Sequence, residues 1–370
     1  MAGGLNRLLR GETRIDFYGR RNLGFGVSIV LLVVTIVSLF TQGLNLGIDF
    51  KGGVAFEVPA SGGLTTKQAV SVLDQNGVST SNAKVQTLSS GTDQRIRIQT
   101  DELEAEKVNK IKTALAKQAA VKESEVSVSE VSSTWGRSIT MKAVKALLIF
   151  FLVVSLYIAW RFEWRMAVSA IVAMVHDVGI SVGVYSVLGL EVTPATVVAF
   201  LTILGFSLYD TIVVFDKVHD NDERYSGSRV SYGDIVNVSM NQVLMRSLNT
   251  SLAAVLPVLS LLVLGAEVMG AVALREFALA LIVGLATGAY SSIFIATPLL
   301  GILKERTVEF RTMRGQISTG DDMSHLMATG APVSRRAHAK AAENGESTAA
   351  TPAVETILSH PPRPRKKSRR

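Results

Sequence analysis

Six apolar stretches, each long enough to cross a lipid bilayer as a helix, constrain this chain more than any other feature of its sequence. A helix needs about 20 apolar residues to span the hydrocarbon core. The stretches are residues 24–42, 142–160, 166–188, 193–215, 247–266 and 274–299. Only 19% of the 370 residues are charged, whereas a soluble domain carries about 25%. The sequence therefore predicts an α-helical integral membrane protein with six transmembrane helices.

The first apolar stretch is predicted to be a retained helix, although it lies near the N-terminus. A signal peptide has an apolar core of about 7–15 residues followed by a small-residue cleavage site. The stretch at 24–42 is longer, and the sequence QGLNLGIDFKGG follows it without such a site. We therefore expect this helix to remain in the mature chain.

The distribution of Lys and Arg predicts the orientation in the membrane, because cytoplasmic loops are enriched in these residues. They occur before the first stretch, after the second and after the fourth: Arg7, Arg10, Arg14, Arg20, Arg21, Arg161, Arg165, Lys217, Arg224 and Arg229. The connection at 190–193 has none. This predicts a cytoplasmic N-terminal segment at 1–23, a cytoplasmic loop at 216–246 and a cytoplasmic C-terminus.

Residues 43–137 form a polar insert between the first two helices, on the extracytoplasmic side in this orientation. Strands are predicted near 52–58, 84–88, 94–99 and 125–131, and helices near 64–73 and 101–119, with Thr65 or Thr66 as N-cap and Gly77 as the stop signal of the first helix. The order β-α-β-β-α-β is that of a ferredoxin-like α+β domain.

The C-terminal segment at 304–370 is predicted to be a cytoplasmic basic tail that is largely disordered. It loses apolar periodicity, and small and polar residues dominate from residue 328 onward. Its last eight residues, RPRKKSRR, favour contact with anionic lipid or a ribosome over specific nucleic-acid binding.

Ionisable residues inside the predicted helices are the candidate functional residues, because a charge at mid-bilayer costs roughly 2.5–3.5 kcal/mol. His176 and Asp177 interrupt the third helix, Asp210 interrupts the fourth, and Arg246 stands at the start of the fifth. Ser207 lies one turn before Asp210 on the same face.

Each of these residues also has a purely structural interpretation. Asp210 could pair with a polar partner to fix helix packing, and His176 could be a hydrogen-bonded interior residue. Arg246 could extend its side chain to the membrane surface, and Asn249 and Thr250 could join helices. The residues alone leave these alternatives open.

Several motifs, in order along the chain, resemble those of the SecF family of Sec protein-export subunits. They are Gly47-Ile-Asp-Phe-Lys-Gly-Gly53, His176-Asp177, GFSLYDTIVVFDKVHDN in the fourth helix, Arg246-Ser-Leu-Asn-Thr-Ser251 and YSSIFIATPLL in the sixth. In the first motif the matching positions are Gly47, Asp49, Gly52 and Gly53. Two positions depart from the common pattern: Tyr209 replaces Asn, and His219-Asp-Asn221 replaces Arg-Glu-Asn.

The resemblance implies that the helices form half of a bundle like that of RND transporters, with SecD as the other half. It implies association with SecYEG, indirectly with SecA and with preproteins, in the bacterial inner membrane. It assigns proton coupling to Asp210 and Arg246, with the proton as coupling ion and no cofactor or metal. Possible supporting residues are Asp177, His176, Ser207, Asn249 and Thr250.

Three alternatives remain at this point. The chain could be an RND-type transporter of small molecules or lipids, although one insert of about 95 residues is small for a substrate pocket. It could be a scaffold. It could be an intramembrane aspartyl protease, but the second carboxylate motif GxGD is missing from every apolar stretch. Cysteine is absent, which excludes thiol catalysis and disulfides, and we predict no enzymatic activity.

Overall fold

The computed structural model describes residues 13–60, 63–80, 83–90, 93–268 and 272–332. Its α-helices, in chain order, are α1 (Arg21–Thr41), α2 (Ile48–Lys51), α3 (Thr66–Gln75), α4 (Ala105–Gln118), α5 (Ser133–Arg161), α6 (Trp164–Leu188), α7 (Pro194–Arg224), α8 (Tyr232–Ser260), α9 (Val272–Ser291), α10 (Thr297–Lys304) and α11 (Asp321–Thr329). The strands are β1 (Asn45–Leu46), β2 (Gly53–Pro59), β3 (Lys84–Ser90), β4 (Asp93–Thr100), β5 (Ser127–Val131) and β6 (Glu191–Val192). A π-helical segment, Leu261–Val268, follows α8, and another, Ser292–Ala296, joins α9 to α10.

Within this described part, six helical segments are long and apolar enough to cross a membrane. They are Arg21–Thr41, Ser133–Arg161, Trp164–Leu188, Pro194–Arg224, Tyr232–Gly265 and Leu274–Lys304. A helix satisfies its backbone hydrogen bonds internally, as the hydrocarbon layer requires. The predicted fold class is confirmed, and the chain is a multi-pass membrane protein.

The fourth and fifth membrane helices continue beyond the apolar stretches that predicted them. Helix α7 runs to Arg224 and α8 begins at Tyr232, so the prediction of a loop over 216–246 is wrong for most of that range. Buried polar contacts hold these extensions together: Asn221 Nδ2 donates to Ser239 Oγ at 2.8 Å. Hydropathy marks only the part of a helix that faces hydrocarbon. It does not detect further helical turns that are stabilised by polar hydrogen bonds outside the membrane.

The segment between α1 and α5 folds as an α+β domain with ferredoxin-like topology. Its strands follow the predicted order β-α-β-β-α-β, and its sheet has the order β3-β4-β2-β5 with antiparallel neighbours throughout. Phe56, Ile98 and Leu115 are fully buried between the sheet and its helices. The location of this domain outside the cytoplasm stays a prediction.

Local sequence signals fix the ends of α3. Thr65 is its N-cap: the Thr65 hydroxyl accepts a hydrogen bond from Gln68 N, and the Gln68 side chain accepts one from Thr65 N. This reciprocal pair satisfies two backbone donors that a helix start otherwise leaves free. Gly77 adopts a φ of +70° just after the helix ends, a conformation that favours glycine.

Glycines allow the membrane helices to approach closely. A Cβ added to Gly183 would overlap the Thr35 side chain on α1, and one added to Gly284 would lie 2.2 Å from Ile203 Cδ1 on α7. A Cβ on Gly288 would lie 2.9 Å from Ser207 Cβ. These small residues therefore bring α6 against α1 and α9 against α7, as expected for small-residue packing in membranes.

Tyr18 anchors the segment that precedes α1. Its hydroxyl donates to Glu305 Oε2 at 2.9 Å, and its backbone N–H donates to Asn237 Oδ1 at 2.7 Å. A Cβ on Gly233 or Gly301 would lie 2.6 or 2.4 Å from the ring, so both glycines are needed beneath it. Burial and the Glu305 carboxylate raise the pKa of Tyr18, and the hydroxyl stays protonated as a donor.

Residues 304–332 fold against the bundle, which corrects the prediction of disorder for this part of the segment 304–370. Helix α11 lies in this segment and buries Met323 and Leu326 completely. A short helix with only two buried apolar residues has too little hydrophobic periodicity to be predicted from the sequence. The basic end of the chain lies within 333–370, outside the described residues.

We expect Gly284→Ala to lower the unfolding temperature of the purified protein in detergent. The new methyl group must displace Ile203, and such overpacking typically costs about 1–3 kcal/mol. Gly205→Ala is the matched control on a membrane helix, because a Cβ there meets nothing within 4 Å. Equal unfolding temperatures for the two variants would contradict the close α7–α9 packing.

Candidate functional site

Asp177 on α6 is buried where three membrane helices meet, and 1% of its surface is exposed. Its Oδ2 accepts hydrogen bonds from Ser207 Oγ on α7 at 2.6 Å and from Ser291 Oγ on α9 at 2.8 Å. Separating these helices would leave a buried carboxylate and its donors without partners, which is costly. Asp177 therefore holds α6, α7 and α9 together.

Asp210 on α7 is a second buried carboxylate, with 8% of its surface exposed. Ser247 on α8 donates to its Oδ1, and Ser292 in the second π-helical segment donates to its Oδ2. Hydrogen bonds from hydroxyl groups favour the charged form of a carboxylate where hydrocarbon disfavours it. Each carboxylate oxygen of Asp210 thus has a hydroxyl donor from a different element of the bundle.

A small cavity borders Asp210. Its volume is about 20 Å³, and its lining includes Tyr209 on α7, Thr250 on α8 and Gly288 on α9. Such a volume is enough for about one water molecule. The carboxylate therefore has room beside it for one water molecule, between α7, α8 and α9.

Ser291 and Ser292 connect the two carboxylates, because these adjacent residues bind Asp177 and Asp210 respectively. They stand where α9 gives way to the π-helical segment. Pro298 has no backbone N–H and cannot complete the α-helical pattern there. At the end of this segment, Thr297 Oγ1 donates to Ser292 O at 2.7 Å. At this change of helix geometry, the hydroxyls of two neighbouring residues bind carboxylates on two different helices, α6 and α7.

His176 extends the polar cluster towards α1. Its Nδ1 lies 3.1 Å from Asp177 Oδ1, and its Nε2 lies 3.1 Å from Ser28 Oγ. The side chain is 5% exposed, so both ring nitrogens are satisfied within the protein. His176 and Asp177 form a dyad between α1, α6, α7 and α9.

The structure does not bring Arg246 to Asp210. Arg246 is exposed on α8, and among the described residues no ion pair joins the two side chains. The neighbouring residue Ser247 donates a hydrogen bond to Asp210 instead. Asn249 is exposed, and the Thr250 hydroxyl donates to Arg246 O at 2.8 Å. Of the predicted site residues, Asp177, His176 and Ser207 meet in one cluster, while Asp210 adjoins it through Ser291 and Ser292.

Sequence reasoning missed four hydroxyl-bearing site residues, Ser28, Ser247, Ser291 and Ser292. Serine is common in membrane helices and usually bonds to its own backbone, so a single serine is a weak signal. The adjacent pair in YSSIFIATPLL was visible as part of a motif. The nearby proline was the signal that could have suggested an unusual helix at this point.

The predicted family motif forms a tight joint between α1 and the α+β domain. Gly47 N donates to Val192 O at 2.9 Å, next to the parallel pairing of β1 with β6. A Cβ on Gly52 would lie 2.6 Å from the backbone of α5, and Gly52 and Gly53 have φ values of +82° and +126°. Only glycine adopts such a conformation readily. Asp49 lies partly buried in α2 beside the joint.

Charged side chains join the domain to the bundle near this joint. Gln99 Nε2 on β4 donates to Glu191 Oε1 at 2.7 Å, and Arg97 Nη2 lies 3.7 Å from the same oxygen. Arg97 Nη1 lies 3.9 Å from Glu276 Oε1 at the start of α9. Burial lowers the pKa of Lys84 on β3, which the Glu191 carboxylate opposes. Basic and amide groups of the sheet thus face acidic groups of the bundle.

Comparison with known protein families shows which family this chain belongs to. Residues 110–306 match the family described as protein export membrane protein SecD/SecF, C-terminal, and residues 37–63 match the SecD/SecF GG motif. The first match covers more than half of the chain. The chain belongs to the SecD/SecF family. The GG motif match contains the glycines of the joint, and the larger match contains both buried carboxylates.

Relatives within the SecD/SecF family carry the name protein translocase subunit SecF. One from Mycobacterium leprae is 39% identical, with 96% of this chain and 81% of the relative covered. One from Streptomyces coelicolor is 40% identical, with 84% and 82% covered. This chain therefore matches SecF subunits over most of their length.

Solved SecD/SecF structures share the fold. The crystal structure of SecDF from Thermus thermophilus, a translocon-associated membrane protein, superposes with a TM-score of 0.72 at 32% identity. The match covers 80% of this chain and 39% of that chain. SecDF in a super-membrane-facing form gives a TM-score of 0.58 at 30% identity, with 82% and 40% covered. The chain is similar to part of SecDF.

We expect Asp177→Ala to lower the unfolding temperature of this SecD/SecF family member in detergent. The substitution leaves Ser207, Ser291 and His176 without their acceptor, at about 1–3 kcal/mol for each unsatisfied buried donor. The control Asp216→Ala removes an exposed carboxylate from α7 and should change the unfolding temperature little. A similar stability of both variants would show that Asp177 does not hold the helices together.

Proposed function

We propose that this chain is a SecF-like subunit of the bacterial Sec protein-export machinery. Working with SecD, it uses proton-motive force to promote late steps of preprotein translocation through SecYEG. The observation that carries this proposal is Asp210, a carboxylate buried between membrane helices and held by hydroxyl groups from two of them. In a SecD/SecF family member, such a group is suited to bind and release a proton.

SecD is the partner that the open sides of the helical bundle favour. Large apolar side chains, such as Val33 on α1, Leu148 on α5 and Leu252 on α8, are more than half exposed. They suit contact with lipid or with further membrane helices. The Thermus SecDF chain is much longer than this one, which covers 39% of it. This supports the proposal that SecD supplies the other half of an RND-like bundle.

Proton binding at Asp210 would change its contacts with two other elements. An ionised carboxylate accepts from both Ser247 and Ser292, whereas a protonated one must donate one hydrogen bond itself. One of the two hydroxyls would then have to reverse its direction or leave. A single proton can thus alter how α7 contacts α8 or the π-helical segment.

Arg246 is proposed to pair with Asp210 in a different conformation from the one described. It directly precedes Ser247, whose hydroxyl already reaches the carboxylate. A rotation of α8 about its axis could exchange the serine for the guanidinium, which keeps its own proton under these conditions. The arginine would then favour release of the proton from Asp210.

The membrane potential supplies energy on the scale that such a switch needs. One charge that crosses 100 mV yields about 2.3 kcal/mol, similar to the cost of a charge at mid-bilayer. A bias of this size shifts the populations of two conformations whose free energies differ by a few kcal/mol. Proton passage could therefore drive a conformational cycle.

Helix α7 is the proposed mechanical link to the α+β domain. It starts at Pro194, directly after β6, whose Glu191 holds Gln99 of the domain. Asp210 lies 16 residues further on, about 24 Å along a helix. A shift of α7 that accompanies proton binding would thus move the joint, and the moving domain would prevent an exported chain from sliding back.

The remaining parts of the proposal concern place and chemistry. The distribution of Lys and Arg supports a bacterial inner-membrane location with both termini in the cytoplasm, where SecA would act indirectly on the same export process. The proton is the coupling ion, and the chain acts without a cofactor or a catalytic reaction. The naming of its relatives as translocase subunits supports this non-enzymatic role.

We expect Asp210→Asn to abolish the stimulation of preprotein export by a proton gradient. Asparagine keeps the size and an acceptor oxygen but cannot carry the proton. Export would be measured in proteoliposomes containing SecYEG, SecD and this chain, supplied with SecA, ATP and a preprotein, with and without the gradient. The ratio of the two rates should fall to about one, while copurification with SecD is unchanged.

The matched control is Asp216→Asn, which changes an exposed acid on the same helix and should keep the full gradient response. A wild-type response from Asp210→Asn would refute proton coupling at this residue. Export of small solutes by the reconstituted protein without SecYEG would instead favour an RND-type transporter.

A further inference from the structure

A chain of hydrogen bonds links the His176–Asp177 dyad to the backbone of α1. The Tyr290 hydroxyl on α9 donates to Gly24 O at 2.7 Å. The same Tyr290 oxygen lies 3.1 Å from Ser28 Oγ, which in turn lies 3.1 Å from His176 Nε2. The chain therefore passes from a carbonyl group, through two hydroxyls, to the imidazole ring.

The carbonyl at one end fixes the direction of every bond in this chain. A carbonyl only accepts, and each hydroxyl has a single proton to donate. Because Tyr290 gives its proton to Gly24, Ser28 must donate to Tyr290. The Ser28 proton is then used, so His176 Nε2 must carry a hydrogen and donate to Ser28. The tautomer of His176 follows from its partners, as it does generally.

We propose that His176 and Asp177 together hold a bound proton and form a second proton-binding site beside Asp210. With Nε2 already protonated, the contact between Nδ1 and Oδ1 is a hydrogen bond only if a proton lies between them. On Nδ1 it makes an imidazolium paired with a carboxylate, and on Oδ1 a neutral imidazole paired with a carboxylic acid. Either state holds one proton more than neutral His176 beside ionised Asp177.

The surroundings of the dyad favour this proton. Both protonated arrangements are neutral overall, which avoids placing a net charge in the hydrocarbon layer. Helix α1 offers no ionisable side chain between Asn22 and Thr41. Within the apolar stretches of the neighbouring spans, the ionisable groups are Asp210 and the exposed Tyr209 on α7, the exposed Lys142, Lys145 and Tyr157 on α5, and Tyr290 on α9 together with Arg275 and Glu276 at the start of that helix. Within the described chain, no Lys or Arg forms an ion pair with Asp177.

Loss of the proton reverses the bond between His176 and Ser28 and disturbs the contacts of Tyr290. Neutral His176 would keep its hydrogen on Nδ1, facing Asp177, and Nε2 would become an acceptor. Ser28 would then donate to Nε2, and Tyr290 would either lose its hydrogen bond with Ser28 or leave Gly24 in order to donate to Ser28. The protonation state of the dyad is therefore tied to the contact between α9 and α1. This inference stands on bond directions and does not depend on proton coupling at Asp210.

The proton can be located by solid-state NMR of the full chain, labelled with ¹⁵N-histidine, in lipid bilayers at neutral pH. His176→Asn identifies the signal of this residue among the five histidines. We expect Nε2 to be protonated, together with either a protonated Nδ1 or a protonated Asp177 seen by infrared spectroscopy. Neutral His176 beside ionised Asp177 would overturn the proposal.

Tyr290→Phe tests the chain of bonds. Without the tyrosine oxygen, Ser28 is free to donate to Nε2, and the protonated dyad loses an advantage worth about one net hydrogen bond. We expect the pH at which the dyad loses its proton to fall by about one unit. An unchanged midpoint would contradict the assigned bond directions. Asp210→Asn is the control and should leave the His176 spectrum unchanged, even if it abolishes gradient-stimulated export.

Discussion

Serine hydroxyls hold two carboxylates inside the hydrocarbon layer, and the positions of α6, α7, α8 and α9 depend on these bonds. A carboxylate there is tolerated only with donors close by. Asp177 takes its serines from α7 and α9, and Asp210 takes its serines from α8 and the π-helical segment. Since serine donors are short and neutral, they require close helix approach. Gly284 and Gly288 on α9 make that approach possible.

The irregular helix beside Pro298 gives this arrangement its connectivity. Adjacent residues of a helix point about 100° apart, so Ser291 and Ser292 can serve two neighbouring helices at once. Irregular helical turns of this kind often occur at functional sites. Both acids therefore bind neighbouring residues of the same turn, so the two proposed proton sites share a structural element without sharing a hydrogen bond.

Elements with strong local signals were predicted correctly from the sequence. The predictions failed where contacts between distant residues determine the structure. Membrane spans and the ferredoxin-like order follow from hydropathy and from period-two alternation. The buried acids were found because charges are rare in apolar stretches. The serine partners, the helical turns after Asp216 and the burial of Met323 depend on residues far away in the chain. The position of Arg246 also depends on contacts between distant residues. The family resemblance suggested that Arg246 pairs with Asp210, whereas in the structure Ser247 donates to that carboxylate.

The anchor at Tyr18 sets a condition on the order of synthesis. The tyrosine leaves the ribosome well before its partners Asn237 and Glu305, which are more than 200 positions later. Until those residues are made, the segment before α1 has no docking place and α1 lacks this restraint. Completion of the sixth membrane helix therefore fixes two segments together, the one before α1 and the one after α10. A truncated product that ends before Glu305 would lack the Tyr18 hydroxyl contact, and the segment before α1 would be held less firmly.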